Sequence, residues 1–264
     1  MIGVGVGVWT GAFLKAPAYN LNFEALFELD AFSGVTTSGG AVSQWDAARS
    51  TRSGAAFTGG TNKPTLTDVA GTPVIRFAGG VNDPLTANSA GNNLGLDLTD
   101  RWTFFALVRQ GLGSNGAWFR MGVSASWQRI GWDYNTANQR QGGTFRKSSS
   151  DSEAFLTFTT NSTPNPQGWH LVTGMYDGSA ATGRRVAWSN RTKVVNTTTP
   201  WTGTYTQQAI TAGHFYLGSA DGSTTLSDAG LDVAFMGLYR HAFSDAEHSA
   251  FADWLEQKYG VTIP

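Results

Sequence analysis

The sequence predicts an all-β fold: a two-sheet antiparallel sandwich with an extended N-terminal arm and one C-terminal α-helix. Three observations predict it. Charged residues make up only 14% of the 264 and glycine numbers 33, a balance that suits many short strands joined by polar turns. Short apolar runs recur between turn signals along most of the chain. A single helical pattern with its own start signal stands at the end.

The first element is an arm and linker over residues 1–22. Val4, Val6 and Val8 alternate with Gly3, Gly5 and Gly7 and lead into Trp9. That period of two suits an extended segment with one apolar edge and one bare backbone edge. Such a segment is either a terminus docked on its own sheet or an assembly arm added as a strand to a neighbouring subunit. The apolar run 2–14 followed by Ala16-Pro17-Ala18 has the outline of an export signal. The basic residues that should precede the run are missing, however, and Lys15 follows it, so the arm reading is preferred. Pro17 and Asn20-Leu21-Asn22 lead into one body, residues 23–264.

Within the body the clearest strands are VIRF at 74–77, WTFFALVR at 102–109, AWFRM at 117–121, AFLTFT at 154–159, WHLVTGMY at 169–176, RRVAW at 184–188, HFYLG at 214–218 and LDVAFMGLYR at 231–240. In 102–109 both alternating sets are apolar, which predicts a central strand covered on both faces. Stretches rich in Gly, Ser, Asn and Asp at 78–95, 110–116, 134–152, 160–168 and 196–208 are expected as loops long enough to carry a site. Neither an internal repeat nor linker composition divides the body.

The helix is expected over roughly 245–258. Ser244-Asp245-Ala246-Glu247 is a capping box, in which the serine hydroxyl takes the third helical amide and Glu247 reaches back to the Ser244 amide. Ala246, Ala250, Phe251, Trp254 and Leu255 recur at helical spacing, and Gly260 supplies a left-handed stop. The Phe251/Trp254/Leu255 stripe is expected to pack on the sandwich.

Composition also excludes functions. The formal net charge of -1 provides no basic field for nucleic acid or anionic lipid, and no apolar run reaches the roughly 18 residues of a membrane span. With no cysteine there is neither disulfide nor thiolate metal site. Stability therefore falls to a core supplied by 10 Trp, 16 Phe and 7 Tyr, side chains that each bury about 150–250 Å².

The strongest catalytic candidate is Glu28-Leu29-Asp30. Two acids two residues apart on a strand share a face, and a retaining glycosidase needs two carboxyl groups about 5–5.5 Å apart. The strand motif requires a further acid near 32–33, where the chain has Phe32 and Ser33. The pair is therefore expected to be structural, a strand-end acid serving turn hydrogen bonds. His170, His214, His241 and His248 do not fall at a metal-ligand spacing, and neither a Gly-x-Ser-x-Gly elbow nor a phosphate loop is present. Asp83, Asp133, Asp221 and Asp228 are loop oxygens of the kind calcium takes, but they form no ligand string. No cofactor is expected.

Several segments together resemble the concanavalin A-like or laminin-G-like jelly-roll domains of bacterial and phage proteins. The carrying stretches are Val42-Ser43-Gln44-Trp45-Asp46, then 73–79 with Asn82-Asp83-Pro84-Leu85, Gly168–Val172 ending in Tyr176-Asp177-Gly178, Tyr216-Leu217-Gly218-Ser219, and 237–247 running to Lys258-Tyr259-Gly260-Val261. The likeness spans residues 24–264 in order. It implies two antiparallel sheets in a jelly roll and a non-catalytic role in glycan binding, adhesion or structural decoration. It also makes Leu29-Asp30-Ala31-Phe32-Ser33 the end of the first sandwich strand. Two departures weaken any metal or ligand site carried over at that edge: Ser189-Asn190-Arg191-Thr192 where Asn-Gly is usual, and Ala78 where Asp is common.

Sugar recognition needs an aromatic face flanked by amide, carboxylate or guanidinium groups. Trp132, Asp133, Tyr134 and Asn135, leading to Arg140, have that composition, and Trp201 lies in a second polar loop. These six residues are the candidate glycan site. The function expected from resemblance and arm together is a non-enzymatic structural protein of a tailed-phage virion: a capsid decoration, head fibre or tail-associated protein. Its partners are expected to be other virion proteins, copies of itself through Val4, Val6, Val8 and Trp9, and host cell-surface polysaccharide. A secreted or cell-surface adhesion module and a glycoside hydrolase on the same fold are the alternatives.

Overall fold

In a computed structural model of the chain, residues 22–51, 56–78, 85–87, 101–110, 116–122, 129–135, 140–146, 154–159, 168–177, 184–197, 214–218 and 230–264 are described. Among the described residues seventeen strands precede one helix. They are β1 (Ala25–Asp30), β2 (Val35–Ser38), β3 (Ala41–Asp46), β4 (Ala56–Gly59), β5 (Thr65–Val69), β6 (Thr72–Phe77), β7 (Leu85–Ala87), β8 (Arg101–Gln110) and β9 (Gly116–Gly122). After these come β10 (Arg129–Asn135), β11 (Arg140–Arg146), β12 (Ala154–Thr159), β13 (His170–Asp177), β14 (Arg184–Ser189), β15 (Thr192–Thr197), β16 (His214–Leu217), β17 (Leu231–Tyr239) and α1 (Asp245–Tyr259).

Among the described residues every strand pairing is antiparallel, and the pairings form two runs. The first is β15-β14-β13-β8-β17, with β6 along residues 231–233 and β1 along residues 235–239 of the far edge of β17, and β5 outside β6. The second is β2-β3-β4-β7-β16-β9-β10-β11-β12. Ala41 pairing with Thr65 stitches the runs together at one side.

Alternation turns these runs into a sandwich. Phe27, Leu29, Phe77, Trp102, Phe104 and Val108 of the first sheet meet Val42, Trp45, Phe57, Leu85 and Leu217 of the second in one buried cluster. The opposite face of the first sheet is covered as well: Val74, Phe105, Leu107, Leu171, Phe235 and Tyr239 pack against Phe251, Ala252, Leu255 and Tyr259 of α1. Residues 102–108 of β8 are consequently buried without interruption, and β8 lies between β13 and β17, as its doubly apolar pattern requires.

The helix starts and stops on its signals. Ser244 and Glu247 form both halves of the capping box, and Gly260 ends the helix at φ 64°. Phe251 and Leu255 are fully buried, while Trp254 is half-buried at the rim of the same cluster. The expected stripe is thus packed on the sheet.

Two loop expectations fail. The 134–152 stretch contains β11, and the 78–95 stretch contains β7. Gly142 and Gly143 have little strand propensity, but β11 is paired on both sides, by β10 and by β12, and a complete set of ladder hydrogen bonds outweighs a propensity deficit of at most about 1 kcal/mol. The arm over 1–22, with Val4, Val6, Val8 and Trp9, lies outside the described residues save for Asn22.

One turn carries a correctable strain. Ala70 sits at φ 52° ahead of Gly71 at φ 89° in the β5–β6 hairpin, a two-residue turn with both central residues left-handed, which favours Asn-Gly. The Gly71 amide donates to Asp68 Oδ1 at 2.8 Å, so the turn is held despite the cost to a Cβ-bearing residue of roughly 1–2 kcal/mol. Ala70→Asn is expected to raise stability by about 0.5–1 kcal/mol, read as a thermal midpoint about 2 °C higher.

Candidate functional site

Both acids of β1 are engaged by structural partners: Asp30 holds the last turn of α1, and Glu28 is held by β17 and by Arg49 of the segment after β3. Glu28 Oε1 accepts a hydrogen bond from the Tyr239 hydroxyl at 2.8 Å and lies 2.6 Å from Arg49 Nη2. Asp30 Oδ1 accepts from the Tyr259 hydroxyl at 2.8 Å and from the Phe32 amide at 2.9 Å, and Asp30 Oδ2 lies 2.5 Å from Lys258 Nζ. Burial, reinforced by the adjacent Glu28 charge, pushes the Tyr239 hydroxyl well above its ordinary pKa, and burial with the Asp30 charge does the same to Tyr259. Both phenols therefore stay protonated as donors. A glycosidase acid has to cycle its proton with the substrate; these two are occupied by β17, α1 and their own turn. Asp30 is the turn-serving acid that the sequence suggests.

The described histidine side chains do not converge either. His248 lies buried on α1, stacked on Trp188 at 4.7 Å, with Nε2 3.1 Å from the Thr173 hydroxyl. His241 is on the segment before α1, stacked on Phe23 at 3.8 Å, with Nε2 3.2 Å from Glu247. His170 opens β13 and His214 opens β16. Among the described residues no group of three or more His, Cys, Asp or Glu can hold a metal ion. Of the four calcium-type acids, Asp133 is on β10, and Asp83, Asp221 and Asp228 lie outside the described residues.

What remains is the outer face of the second sheet. Its strands alternate between buried residues (Trp45, Phe57, Leu85 and Leu217) and partly exposed polar ones. Register lines the latter up: Gln44 is opposite Thr58, Thr58 opposite Thr86, and Thr86 opposite Tyr216. Asp46 stands two residues beyond Gln44 on the same face, and Gln44 Nε2 donates to Asp46 Oδ1 at 2.7 Å. The row continues by backbone register through Arg120, Gly131 and Thr144, and so reaches the hairpin of β10 and β11.

That hairpin contains five of the six sequence-predicted glycan residues. Trp132, Asp133, Tyr134 and Asn135 are consecutive on β10, and Arg140 opens β11 directly opposite Asn135. By alternation Asp133 and Asn135 fall in the set of Gly131, which shares its row with Tyr216. Trp132 and Tyr134 fall in the other set; the row of Trp132 runs through Phe119 to Leu217 and Leu85. Trp201 lies outside the described residues. Sequence reasoning passed over Gln44, Asp46, Thr58, Thr86 and Tyr216 as site residues. The signal was there in period two, since each polar residue neighbours a core residue, but which strands lie side by side is not written in the order 44, 58, 86, 216.

No protein-family model matches the chain, and no curated protein sequence matches it. Solved structures do. The binding domain of botulinum neurotoxin DC in complex with SialylT is similar at TM-score 0.61 and 8% identity, over 88% of this chain and 52% of that one. The receptor-binding domain of botulinum neurotoxin type G is similar at TM-score 0.58 and 11% identity, over 87% and 51%. A structure of botulinum neurotoxin type C, whose cell entry is described as dependent upon interaction with two ganglioside molecules, is similar at TM-score 0.61 and 9% identity, over 88% and 51%. The chain spans about half the length of these binding domains, and at such identities the likeness is one of fold.

Proposed function

We propose that the chain is a non-catalytic carbohydrate-binding sandwich of the concanavalin A-like class, carried on the particle of a tailed phage. The observation that carries the binding reading is the polar row on the outer face of the second sheet, in register with the hairpin that bears Asp133, Asn135 and Arg140. Hydroxyl, amide and carboxylate groups presented beside an aromatic ring are what sugar hydroxyls and pyranose faces require. The fold shared with receptor-binding domains supports a binding use over a catalytic one. The acids of β1 support it too, since their partners are structural. The virion assignment draws on the resemblance to phage jelly-roll proteins and on the Gly-Val arm, whose proposed role is strand addition to a neighbouring copy.

A glycan array probed with the purified chain is expected to give hits that survive Glu28→Gln. The double variant Asn135→Ala with Arg140→Ala is expected to weaken them about tenfold or more, the worth of hydrogen bonds that include a charged group. A blank array, or glycan cleavage abolished by Glu28→Gln, overturns the binding reading. Mass spectrometry and imaging of the native particle test the virion reading, which fails if the chain is found only free or on a cell surface.

A further inference from the structure

The sandwich leaves one strand edge open, and the chain carries a segment that fits it. We propose that β2 is the acceptor edge of an assembly contact, to which residues 3–9 of a neighbouring copy add as an antiparallel strand. This rests on the assembly-arm reading of residues 1–22 and goes further, to the surface that receives the arm.

The edge is identified by what covers the others. Residues 48–51 take the outer edge of β1: the Glu28 amide donates to the Arg49 carbonyl at 2.8 Å, the Ala48 amide to the Glu28 carbonyl at 2.7 Å, and the Thr51 amide to the Ala25 carbonyl at 2.9 Å. β5 is bound to the turn of the β2–β3 hairpin, its Leu66 amide donating to the Gly40 carbonyl at 3.1 Å. β12 lies against β14 and β15, so the two sheets close on each other at that side. β2 has β3 on one side and no described strand on the other.

Backbone direction shows which groups are presented. The Gly34 carbonyl accepts from the Asp46 amide at 2.8 Å and the Thr36 carbonyl from the Ser43 hydroxyl at 3.1 Å, so positions 34 and 36 face β3. Amides and carbonyls alternate sides along an antiparallel strand. Those of Val35 and Thr37 therefore point outward, where no described residue bonds them. Thr36, Thr37 and Ser38 are exposed, and the strand, VTTS, has neither the charge nor the proline that blunts an edge. It is also ordered in advance. Gly39 and Gly40, at φ 60° and 83°, form the two-residue turn into β3, and a Cβ on Gly34 would stand 2.5 Å from the Asp46 carbonyl oxygen. An edge already in place loses little freedom on pairing.

Side chains select the occupant. Val35 packs on the core cluster and Thr37 stands opposite buried Val42, while Thr36 stands opposite Gln44 of the outer face. A strand added to β2 continues this alternation, turning the residues opposite Val35 and Thr37 towards the core and the one between them to solvent. Val4, Val6 and Val8, separated by Gly5 and Gly7, supply that pattern. Two valines extend the apolar edge at Val35, and a glycine beside Thr36 leaves the outer face clear. A slip of one residue would put glycines on the core side, so the pattern also sets the register. The root of the arm is fastened on the opposite sheet: Phe23 stacks on His241 at 3.8 Å, and the Arg240 amide donates to the Glu24 carbonyl at 2.9 Å. An arm rooted on one sheet and an edge in the other make a heterologous contact, in which each copy gives an arm and receives one.

The chain has no cysteine, so an introduced pair reports the contact. Gly3→Cys, Gly5→Cys and Gly7→Cys are each combined with Thr36→Cys in one chain, oxidised and run on a non-reducing gel. Opposite residues at these positions stand about 4.5 Å apart between Cα atoms, within disulfide reach. At least one pair is expected to give covalent dimers and higher species that the single variants do not. A disulfide closed within one chain, or none from any pair, overturns the inference. Light scattering on the full chain is expected to show an oligomer. Val6→Asp and Thr37→Pro are each expected to raise the concentration needed for assembly about tenfold or more. Thr37→Pro removes an outward amide and spares the β2–β3 ladder; a circular dichroism melt checks the fold, and the cysteine pairs decide if that melt changes. Assembly lost in Val6→Asp but indifferent to a folded Thr37→Pro overturns β2 as the acceptor and leaves the arm reading standing. A chain monomeric at every concentration, or an assembly indifferent to Val6→Asp, overturns both.

Discussion

Asp30→Ala is expected to lower folding stability by about 3 kcal/mol, at the lower end of the range for breaking a buried pair by deleting one partner. Asp30 is 6% exposed and holds three groups at once: the Tyr259 hydroxyl, the Phe32 amide and the Lys258 ammonium. Removing the carboxylate strands the Tyr259 hydroxyl inside the cluster between sheet and helix, and an unsatisfied buried donor costs about 1–3 kcal/mol. Lys258 loses its counter-ion but is partly exposed and keeps its place over the Trp254 ring at 4.8 Å, which holds its share of the cost down. Tyr259→Phe removes the donor and leaves Asp30 with two partners, so its cost is expected to be smaller, about 1 kcal/mol. Urea denaturation followed by tryptophan fluorescence reads both. Equal costs for the two variants would show that Asp30 is not the anchor described.

This pair of residues shows what the sequence could and could not tell. That Asp30 ends a strand and serves a turn was legible, because the motif lacks its third acid and the next residues are Phe32 and Ser33. That its second task is to fasten the last turn of a helix 229 residues away was not, since Tyr259 reads only as part of a Lys-Tyr-Gly ending. The helix itself was legible nearly to the residue, because its cap, its stripe and its glycine stop are local signals. The two sheets were legible as a class and not as an order: alternation says which residues are buried together, and says nothing about whether β7 lies beside β4 and β16. The candidate site suffers most from this. Composition picked the densest patch, 132–140, whereas the polar row is assembled from single residues on strands distant in sequence. Its length comes from register, which turn geometry and long-range pairing set together.

The other large effect is on acid stability. His248 is 1% exposed and sandwiched between Trp188 and Phe105, with centroid distances of 4.7 and 5.9 Å. Burial lowers its pKa from 6.5 to about 4; Asp245 opposes the shift, and Arg191 and Lys193 from the facing β14–β15 hairpin add to it. The unfolded chain therefore takes a proton near pH 6.5 and the folded chain only near pH 4, so between these values the unfolded state holds more protons. The stabilisation is complete above pH 6.5 and is lost as the pH falls towards 4. Between pH 7 and pH 5 this one residue is expected to remove about 2 kcal/mol. Glu247, whose pKa the Ser244 hydrogen bonds hold below the usual carboxylate range against partial burial, adds its own loss further down, which makes pH 5 the informative lower point. His248→Gln keeps a partner for the Thr173 hydroxyl and removes the titration, so its urea midpoint should change far less between pH 7 and pH 5 than that of the parent chain. Parallel losses in the two proteins would assign the acid limb to the carboxylates instead. Because His248 is held on α1 against β13 and β14, the first structure expected to loosen in acid is the helix-covered side of the sandwich. The outer face of the second sheet, on the other side of the core, should then keep its structure to lower pH than the helix keeps its seat.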